Sequence, residues 1–444
     1  MQPLKILFAC IPFDGHFNPL TSIATLLKEQ GHDVRWYAQD YYGDKLSRMG
    51  FQRYPFKRAV QYNQNNLDTI FADRLQHKSQ LKRLNFDLQH SFLERAPEFF
   101  ADISEINASF YFDVMIADVM FTAIPLVSRI LKKPVLSIGV LPLVETSKDL
   151  PPAGLGMTPS TSWLGRLKQD ALRYITDHVL FGKSHNAFRE ILGRYGLIVK
   201  GNTLDYLIRS STYMLQSGTP GFEYKRSDLG KNIRYIGPLL PSSKGRTPLV
   251  DLREKAKRFE KVILVTQGTI EKDPEKLIVP VIEAYKGSRH LVIVTTGGSK
   301  TRELRDRYPD MNVVIEEYLP FEHVLPFTSV FITNGGYGGV MLGIKGGVPM
   351  VVGGVHEGKL EITARVGYFK LGIDLRTETP DVRQITTAVN KVLANPEYKH
   401  NVMTLAAEFN KYDTAQLLTM YVQEVTGQGP MRPAPRILHR PSVK

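Results

Sequence analysis

The most informative segment reads Phe331-Ile-Thr-Asn-Gly-Gly-Tyr-Gly-Gly-Val340, an apolar run that ends in a glycine-rich turn. The pattern predicts a short strand, a tight turn and the start of a helix. Glycine adopts positive φ angles and lets the backbone approach a ligand closely. The first amides of a helix have no partner within the helix and carry partial positive charge, so such a turn suits a phosphate or a diphosphate. Taken alone, a strand-to-helix turn without a ligand is the alternative interpretation.

A second polar turn follows, in which a predicted strand over 349–352 runs into Gly353-Gly-Val-His-Glu-Gly-Lys359. Turns that follow parallel strands lie at one edge of an open α/β sheet, and ligands bind at that edge. The two turns together therefore predict one ligand site. The second turn also imitates a P-loop, but Leu360 stands where a P-loop has the Ser or Thr that holds magnesium. We therefore exclude a P-loop NTPase.

The bulk composition describes a globular protein with two domains. The chain has 444 residues, of which 43% are apolar and 23% charged, and it lacks an apolar run near the ~20 residues of a membrane span. Its only cysteine, Cys10, excludes an internal disulfide and a thiolate zinc site, which favours a reducing, cytoplasmic setting. The net charge of +13 favours an anionic partner such as a nucleotide diphosphate, a nucleic acid or a lipid surface. We expect no nucleic acid, because the interleaved aromatic and basic residues of such a module are missing.

The order of apolar runs predicts the same architecture twice. Strands that alternate with helices indicate parallel sheets. We predict strands over 4–11, 33–38, 112–117 and 135–140, then over 262–266, 291–295, 313–317, 330–333 and 350–352. The first helix is predicted to open at Asn18 and Pro19. We predict an N-terminal domain over 1–237, a turn-rich linker over 238–250, a C-terminal domain over 251–427 and a basic, disordered tail over 428–444.

The glycine turn, Gly347-Val-Pro349 and the acidic patch that follows resemble the nucleotide-sugar signature of glycosyltransferases with the GT-B fold. The branch that the chain resembles is the UDP-glucuronosyl/UDP-glucosyltransferase family. This resemblance implies two Rossmann-like domains whose parallel sheets face an interdomain cleft, and a last helix that crosses back onto the N-terminal domain. It also implies a UDP- or dTDP-linked sugar donor on the C-terminal domain. The chain departs from the family at Asn334, where most members have histidine, and at Glu357-Gly-Lys359, near where plant members have Asp-Gln.

The resemblance also implies a set of donor-binding residues. Tyr318 aligns with the tryptophan on which family members stack the nucleobase, whereas core packing is a rival role for Phe321. A plain β-turn is the alternative for the turn at Gly268, and a solvated helix start for the residues after Gly353. The predicted set comprises Gly15, Gly268, Thr269, Tyr318, Leu319, Phe321, Asn334, Gly335, Gly336, Tyr337, Gly338, Gly339, Glu357 and Lys359, with Glu361 as a further candidate.

A motif near the N-terminus predicts the catalytic residues. The first strand runs into Phe13-Asp-Gly-His-Phe-Asn-Pro19, and imidazole suits a general base because its pKa lies near neutrality. The motif matches the family's Gly-His-x-x-Pro element, which implies that His16 takes the proton from the acceptor hydroxyl. Asp118 ends another strand at the same sheet edge and is the predicted partner of His16. A cap for the following helix is its alternative role.

We therefore predict an inverting glycosyltransferase that uses no cofactor and no metal. The chain has no Asp-x-Asp motif, and the glycine turn can supply backbone dipoles instead. The predicted acceptor is a small apolar or aromatic hydroxyl compound such as a flavonoid, a polyphenol or a macrolide. Aromatic residues between 51 and 121 suit such an acceptor, although a hydrophobic core explains them equally well. The alternatives are a nucleotide-sugar epimerase of the same fold and a non-catalytic nucleotide-sugar-binding protein.

Overall fold

A computed structural model describes residues 2–240, 250–268, 271–356 and 358–428 of the protein. Thr269, Glu357, most of the predicted linker and nearly all of the predicted tail lie outside these ranges. Within them the backbone forms two parallel sheets, one from each half of the chain. This arrangement confirms the predicted α/β fold of two Rossmann-like domains.

The N-terminal domain is built on a seven-stranded sheet. Its strands are β1 (Lys5–Ala9), β2 (Asp33–Tyr37), β3 (Gln52–Tyr54), β4 (Val114–Asp118), β5 (Val135–Gly139), β6 (Tyr213–Gln216) and β7 (Ile233–Tyr235). Their order across the sheet is β3-β2-β1-β4-β5-β6-β7, and neighbouring strands run parallel. The order reverses direction between β1 and β4, and a crevice for ligands opens at such a point, outside the carboxyl ends of the strands.

Helices cover both faces of this sheet, which is why its central strands are almost continuous apolar runs. The helices are α1 (Asp14–Glu29), α2 (Gly43–Arg48), α3 (Leu67–Ile70), α4 (Gln80–Phe86), α5 (Ala96–Phe110), α6 (Ile124–Arg129), α7 (Trp163–Ile175), α8 (Gly182–Gly193) and α9 (Thr203–Ser210). On one face Phe8 and Trp36 pack against α1, and on the other Phe99 and Phe121 pack together. Six of the thirteen Phe and Tyr residues between 51 and 121 are buried in this second cluster, so these six form core and not an open pocket.

The C-terminal domain repeats the plan with a six-stranded sheet. Its strands are β8 (Lys261–Thr266), β9 (His290–Thr295), β10 (Val313–Glu316), β11 (Val330–Thr333), β12 (Met350–Val352) and β13 (Gly372–Asp374). Its helices are α10 (Val250–Ala256), α11 (Ile278–Tyr285), α12 (Thr301–Arg307), α13 (Phe321–Val324), α14 (Tyr337–Lys345), α15 (Lys359–Tyr368), α16 (Val382–Ala394), α17 (Pro396–Phe409) and α18 (Thr414–Val425). The strand order is β10-β9-β8-β11-β12-β13, so the reversal here lies between β8 and β11.

The last helix, α18, leaves the C-terminal domain and packs on the N-terminal one. Leu418, Tyr421 and Val422 belong to the same apolar cluster as Phe8 and Trp36. At the edge of this contact the Tyr213 hydroxyl donates to Glu424 at 2.6 Å, and Gln30 donates to Thr419 at 2.8 Å. Helix α18 thus completes the core of the N-terminal domain. In the part of the chain that the structure describes, no helix combines the length and the apolar character needed to cross a membrane.

Candidate active site

His16 and Asp118 lie side by side at the point where the N-terminal sheet reverses its order. His16 follows β1 and Asp118 ends β4, and the His16 Nδ1 atom lies 3.0 Å from Asp118 Oδ1. The Asp118 side chain is fully buried, whereas the His16 side chain is 18% exposed. In the neutral imidazole tautomer whose Nδ1 donates to this carboxylate, Nε2 carries a lone pair. Among the residues that the structure describes, Nε2 has no hydrogen-bond partner.

The backbone holds Asp118 in place. Its Oδ2 atom accepts from the amide of Ile11 at 2.8 Å, and its Oδ1 atom accepts from the amide of Met120 at 2.9 Å. These amides belong to the turns after β1 and β4. Hydrogen bonds from two backbone amides fix the position and orientation of the carboxylate. The helix that follows, α6, begins at Ile124 and has no side-chain cap, so Asp118 bonds the turn after β4 and does not take the alternative cap role.

Helix α1 begins earlier than predicted, which changes the setting of His16. The predicted start was Asn18, but the amides of His16 and Phe17 both donate to the Phe13 carbonyl at 2.9 Å, so α1 starts at Asp14. The early start is favoured because it brings Phe17 into the buried face of the helix. His16 and Gly15 thus lie in the first helical turn and not in a loop. A Cβ atom on Gly15 would meet no other atom within 4 Å.

The glycine turn after β11 forms the N-terminus of α14. Gly335 has φ +73°, and a Cβ atom there would lie 2.6 Å from Thr363 Cγ2 and 2.9 Å from the Gly353 carbonyl oxygen. Only glycine fits such a position. Gly336 precedes the helix and gives it no side-chain cap, and a Cβ atom on Gly338 would meet open space. The first amides of α14 can therefore bind an anion from the open side.

Asn334 connects this turn to the turn after β8. Its Nδ2 atom donates to the Gln267 carbonyl oxygen, and Gly268 follows with φ +72° and an amide bonded to Thr266 Oγ1 at 3.2 Å. Since β8 and β11 are the strands between which the C-terminal sheet reverses its order, the two turns meet at its ligand edge. Gly339 lies one turn into α14, close to Thr333 Oγ1.

The three predicted residues after β10 have different environments. Tyr318 is 62% exposed, and its hydroxyl donates to the Gly297 carbonyl at 3.0 Å, which leaves a ring face free to stack. Leu319 is buried in the domain core. Phe321 packs edge-on against Phe331 at a centroid distance of 5.8 Å. The core role therefore accounts for the Phe321 side chain, and Leu319 offers only its backbone to a ligand.

Lys359 begins α15 and lines a pocket at the ligand edge of the C-terminal sheet. Its Nζ atom lies 3.9 Å from Glu378 Oε1, and its side chain is 14% exposed. The pocket is also lined by Gln267, Glu271, Lys276, Leu277, Asn334, Gly353, Gly354 and Glu378. The sequence analysis missed Glu378, which accepts from the amides of Val355 and His356 at 3.1 Å. Its position directly after β13 was the signal that could have identified it.

Two residues predicted to bind the donor use their side chains to join the domains. The Tyr337 hydroxyl donates to the Ser217 carbonyl oxygen at 2.6 Å and accepts from Gln216 at 3.3 Å. Burial raises the pKa of Tyr337 well above its usual value. Glu361 Oε1 accepts from the amides of Gly154 and Gly156 at 2.9 and 2.8 Å. The polar atoms of the Tyr337 and Glu361 side chains are thus already bonded to the N-terminal domain, and their role in donor binding stays a prediction.

A buried ion cluster lies beside these contacts. The Arg365 guanidinium is 3.0 Å from Glu223 Oε2, across the domain boundary, and 2.9 Å from Glu361 Oε2 within α15. Glu223 also accepts from the Leu143 amide at 2.9 Å. Tyr224 places its ring 4.3 Å from the guanidinium carbon. These contacts join the segment after β6 to helix α15 across the domain boundary.

Comparisons with known proteins agree with this architecture. The family described as UDP-glucoronosyl and UDP-glucosyl transferase matches residues 206–428. The 4'-demethylrebeccamycin synthase of Lentzea aerocolonigenes is 31% identical over 413 residues, which cover 92% of this chain and 96% of that protein. UDP-glucosyltransferase 1 of Beauveria bassiana (strain ARSEF 2860) is 29% identical over 434 residues, with 92% of each chain covered.

Solved structures show the same fold. CalG4, the calicheamicin glycosyltransferase, has a TM-score of 0.73 at 18% identity and covers 96% of this chain and 99% of its own. The spinosyn rhamnosyltransferase SpnG, solved with thymidine diphosphate, has a TM-score of 0.65 at 16% identity and covers 94% of this chain and 100% of its own. The fold is therefore GT-B. The match over 206–428 and the relative at 31% identity show that the chain belongs to the UDP-glucoronosyl and UDP-glucosyl transferase family, and it is a glycosyltransferase, which transfers a sugar from a nucleotide sugar to an acceptor.

Proposed function

We propose that this glycosyltransferase inverts the anomeric centre and uses His16 as its general base. The observation that carries the proposal is the 3.0 Å contact between His16 Nδ1 and the fully buried Asp118. His16 Nε2 takes the proton from the acceptor hydroxyl while the hydroxyl oxygen attacks the anomeric carbon. The bond to the diphosphate breaks on the opposite side, so the configuration inverts. Asp118 stabilises the imidazolium that forms, as a carboxylate does in a catalytic triad.

The leaving diphosphate is the proposed ligand of the α14 N-terminus. The amides after Gly336 have no side-chain cap, and a Cβ atom on Gly338 would meet no other atom within 4 Å, which supports stabilisation of the departing charge without a metal. Tyr318 presents an exposed ring for the nucleobase, and Lys359 supplies a cation at the rim of the pocket. The names of the relatives favour a UDP-sugar, and the thymidine diphosphate bound by SpnG makes a dTDP-sugar the second candidate.

The proposed acceptor is a small apolar or aromatic compound with a hydroxyl group. Phe13, whose carbonyl accepts from the His16 amide, packs against Phe92 at a centroid distance of 5.6 Å, and both rings are only partly buried. Met120, two residues after Asp118 in the chain, is partly buried as well. The apolar side chains near His16 suit an acceptor with an apolar ring, because burial of that ring away from water favours binding.

One set of assays tests this proposal. The protein is incubated with a UDP- or dTDP-sugar and a panel of phenols, flavonoids and macrolides, with and without EDTA. Mass spectrometry reports transfer, and NMR of the anomeric proton reports the configuration. His16→Ala should keep donor affinity, measured by calorimetry, yet lower kcat by about 10²–10⁴. Asp118→Asn should also be slow, and His400→Ala, at an exposed site on α17, should match the wild type.

The choice of acceptor sharpens the test. Acidic phenols ionise without help, so they should lose least from His16→Ala, and weakly acidic alcohols should lose most. A near-wild-type kcat of His16→Ala on a weakly acidic alcohol would remove His16 from the mechanism. Retention of the anomeric configuration would contradict the single displacement. Activity that EDTA abolishes and magnesium or manganese restores would contradict the metal-free role of α14.

A further inference from the structure

Helix α7 and the short segment that follows it expose their apolar side to solvent. Trp163, Leu164, Leu167, Tyr174 and Ile175 are 43–70% exposed, and Val179 in the following π-helical turn is 68% exposed. At 100° per residue the five helical members fall within one third of the helix circumference. We call these six residues the α7 face. An exposed apolar surface of this kind on one helix marks an interaction site.

The opposite side of α7 is polar and fixed to the protein. Gln169 is buried, accepts from the Ser160 amide at 2.6 Å and donates to the Asp149 carbonyl at 3.4 Å. Arg173 donates to the carbonyl of Leu150. Because these polar atoms are already paired, rotation of the helix to bury its apolar side would leave them without partners. The hydrogen bonds of Gln169 and Arg173 thus fix the outward orientation of the α7 face.

The charges around the α7 face indicate what covers it. Arg166 and Lys168 are exposed on α7 next to the apolar residues, whereas the acid Asp170 is paired with Arg173. The whole chain carries a net charge of +13. A symmetric contact between two copies would bring these cations close together, which opposes self-association. An anionic surface is attracted by them instead.

We propose that the α7 face binds the surface of an anionic lipid bilayer. Helices that lie in a membrane interface have a large apolar side, Lys and Arg at its border and aromatic rings whose polar atoms reach the headgroups. In α7 the leucines form the apolar centre, Arg166 and Lys168 form the border, and Trp163 and Tyr174 are the rings. Such a contact holds the enzyme at a surface where apolar compounds collect. The proposal does not depend on His16 or on the identity of the donor.

Vesicle flotation tests the proposal. The full-length protein is mixed with vesicles of phosphatidylcholine, alone or with about one third phosphatidylglycerol, and the fraction that floats gives a partition coefficient. The wild type should float with the anionic vesicles. A Leu164→Glu/Leu167→Glu variant should lose at least ~10-fold in partitioning, because it places two charges in the apolar centre. An Arg166→Gln/Lys168→Gln variant should lose about 30-fold on anionic vesicles only, at about a factor of five for each cation.

The matched control is Met311→Glu, which changes a side chain that is 87% exposed on the other domain and should float like the wild type. Circular dichroism and UDP binding should be the same for all variants, so a loss of flotation cannot come from unfolding. Equal flotation of the Leu164→Glu/Leu167→Glu variant and the wild type would overturn the proposal, as would a wild type that floats with neither vesicle. A dimer in sedimentation velocity that this variant dissociates would assign the α7 face to a second copy and would also overturn it.

Discussion

Replacement of Arg365 by methionine should destabilise the protein strongly, because it leaves two carboxylates buried without their cation. The Arg365 side chain is 2% exposed, and those of Glu223 and Glu361 are 3% and 13% exposed. Burial would lower the pKa of Arg365, but the two carboxylates outweigh it and hold the pKa above its usual value. The guanidinium is therefore charged in the folded protein. Methionine keeps most of the apolar stem and removes only the charge and its hydrogen bonds.

The expected loss follows from the burial of the cluster. Removal of one member of a buried ion pair typically costs about 3–5 kcal/mol, since the remaining charge has no compensation. Exposed pairs contribute less than about 1 kcal/mol. Arg289→Met is the matched control, because Arg289 pairs with Glu260 at 3.1 Å with both side chains more than half exposed. We expect about 3–5 kcal/mol for Arg365→Met and less than about 1 kcal/mol for Arg289→Met.

Urea unfolding followed by circular dichroism measures these free energies. A triple variant with Arg365→Met, Glu223→Gln and Glu361→Gln separates the charge effect from lost packing. Its amide oxygens can still accept from the backbone amides that now bond the carboxylates, so it should recover most of the loss. A loss in Arg365→Met no larger than in Arg289→Met would refute the reasoning. So would a triple variant that is less stable than Arg365→Met alone.

Two further predictions concern the glycine turn and the pH dependence of stability. Gly335→Ala should weaken UDP binding in calorimetry and lower the free energy of unfolding by at least ~1 kcal/mol, since its φ is +73° and its Cβ would overlap Thr363. Gly338→Ala, with open space around it, should be stable, and equal stability of the two variants would contradict the argument. Burial, with a smaller contribution from Arg189, lowers the pKa of His185 to about 4. The unfolded chain therefore binds a proton that the folded chain does not, and stability should fall as the pH drops from about 6.5 to about 4, by up to ~3 kcal/mol, in urea titrations of the wild type. His185→Gln should flatten that slope, and an unchanged slope would show that other groups cause it.

The sequence was sufficient for the central strands of both sheets and for the main contacts at their edges. It did not predict β3, β6, β7 and β13, which have only three or four residues each. The β11 strand, the glycine turn and α14 have local signals, because apolar runs and glycines act within a few residues. The pairing of His16 with Asp118 also follows from a local rule, since residues after adjacent parallel strands meet at one edge. The start of α1 does not follow from a local rule. Phe13 and Asn18 are alternative N-cap positions, and Phe13 is the N-cap in the folded chain because this start buries Phe17.

Contacts between the domains could not be predicted in this way. Arg365 and Glu223 are 142 positions apart, and they meet only because the two sheets face each other. For the same reason Glu361 looked free for a sugar, although the loop at Gly154 already occupies it. The α7 face has a regular helical period, but that period normally indicates a buried side, and the sequence carries no sign that here it points outward.

The crossing of α18 has a consequence for the order in which the protein matures. The N-terminal domain leaves the ribosome before α18, so the groove for Leu418, Tyr421 and Val422 stays open until that helix has been synthesised. This domain therefore completes its core only after the other one has been synthesised, and until then it exposes the apolar surface that α18 later covers. The same dependence limits recombination between relatives. A chimera that exchanges halves at the junction must inherit its final helix from the parent that provides its first strand.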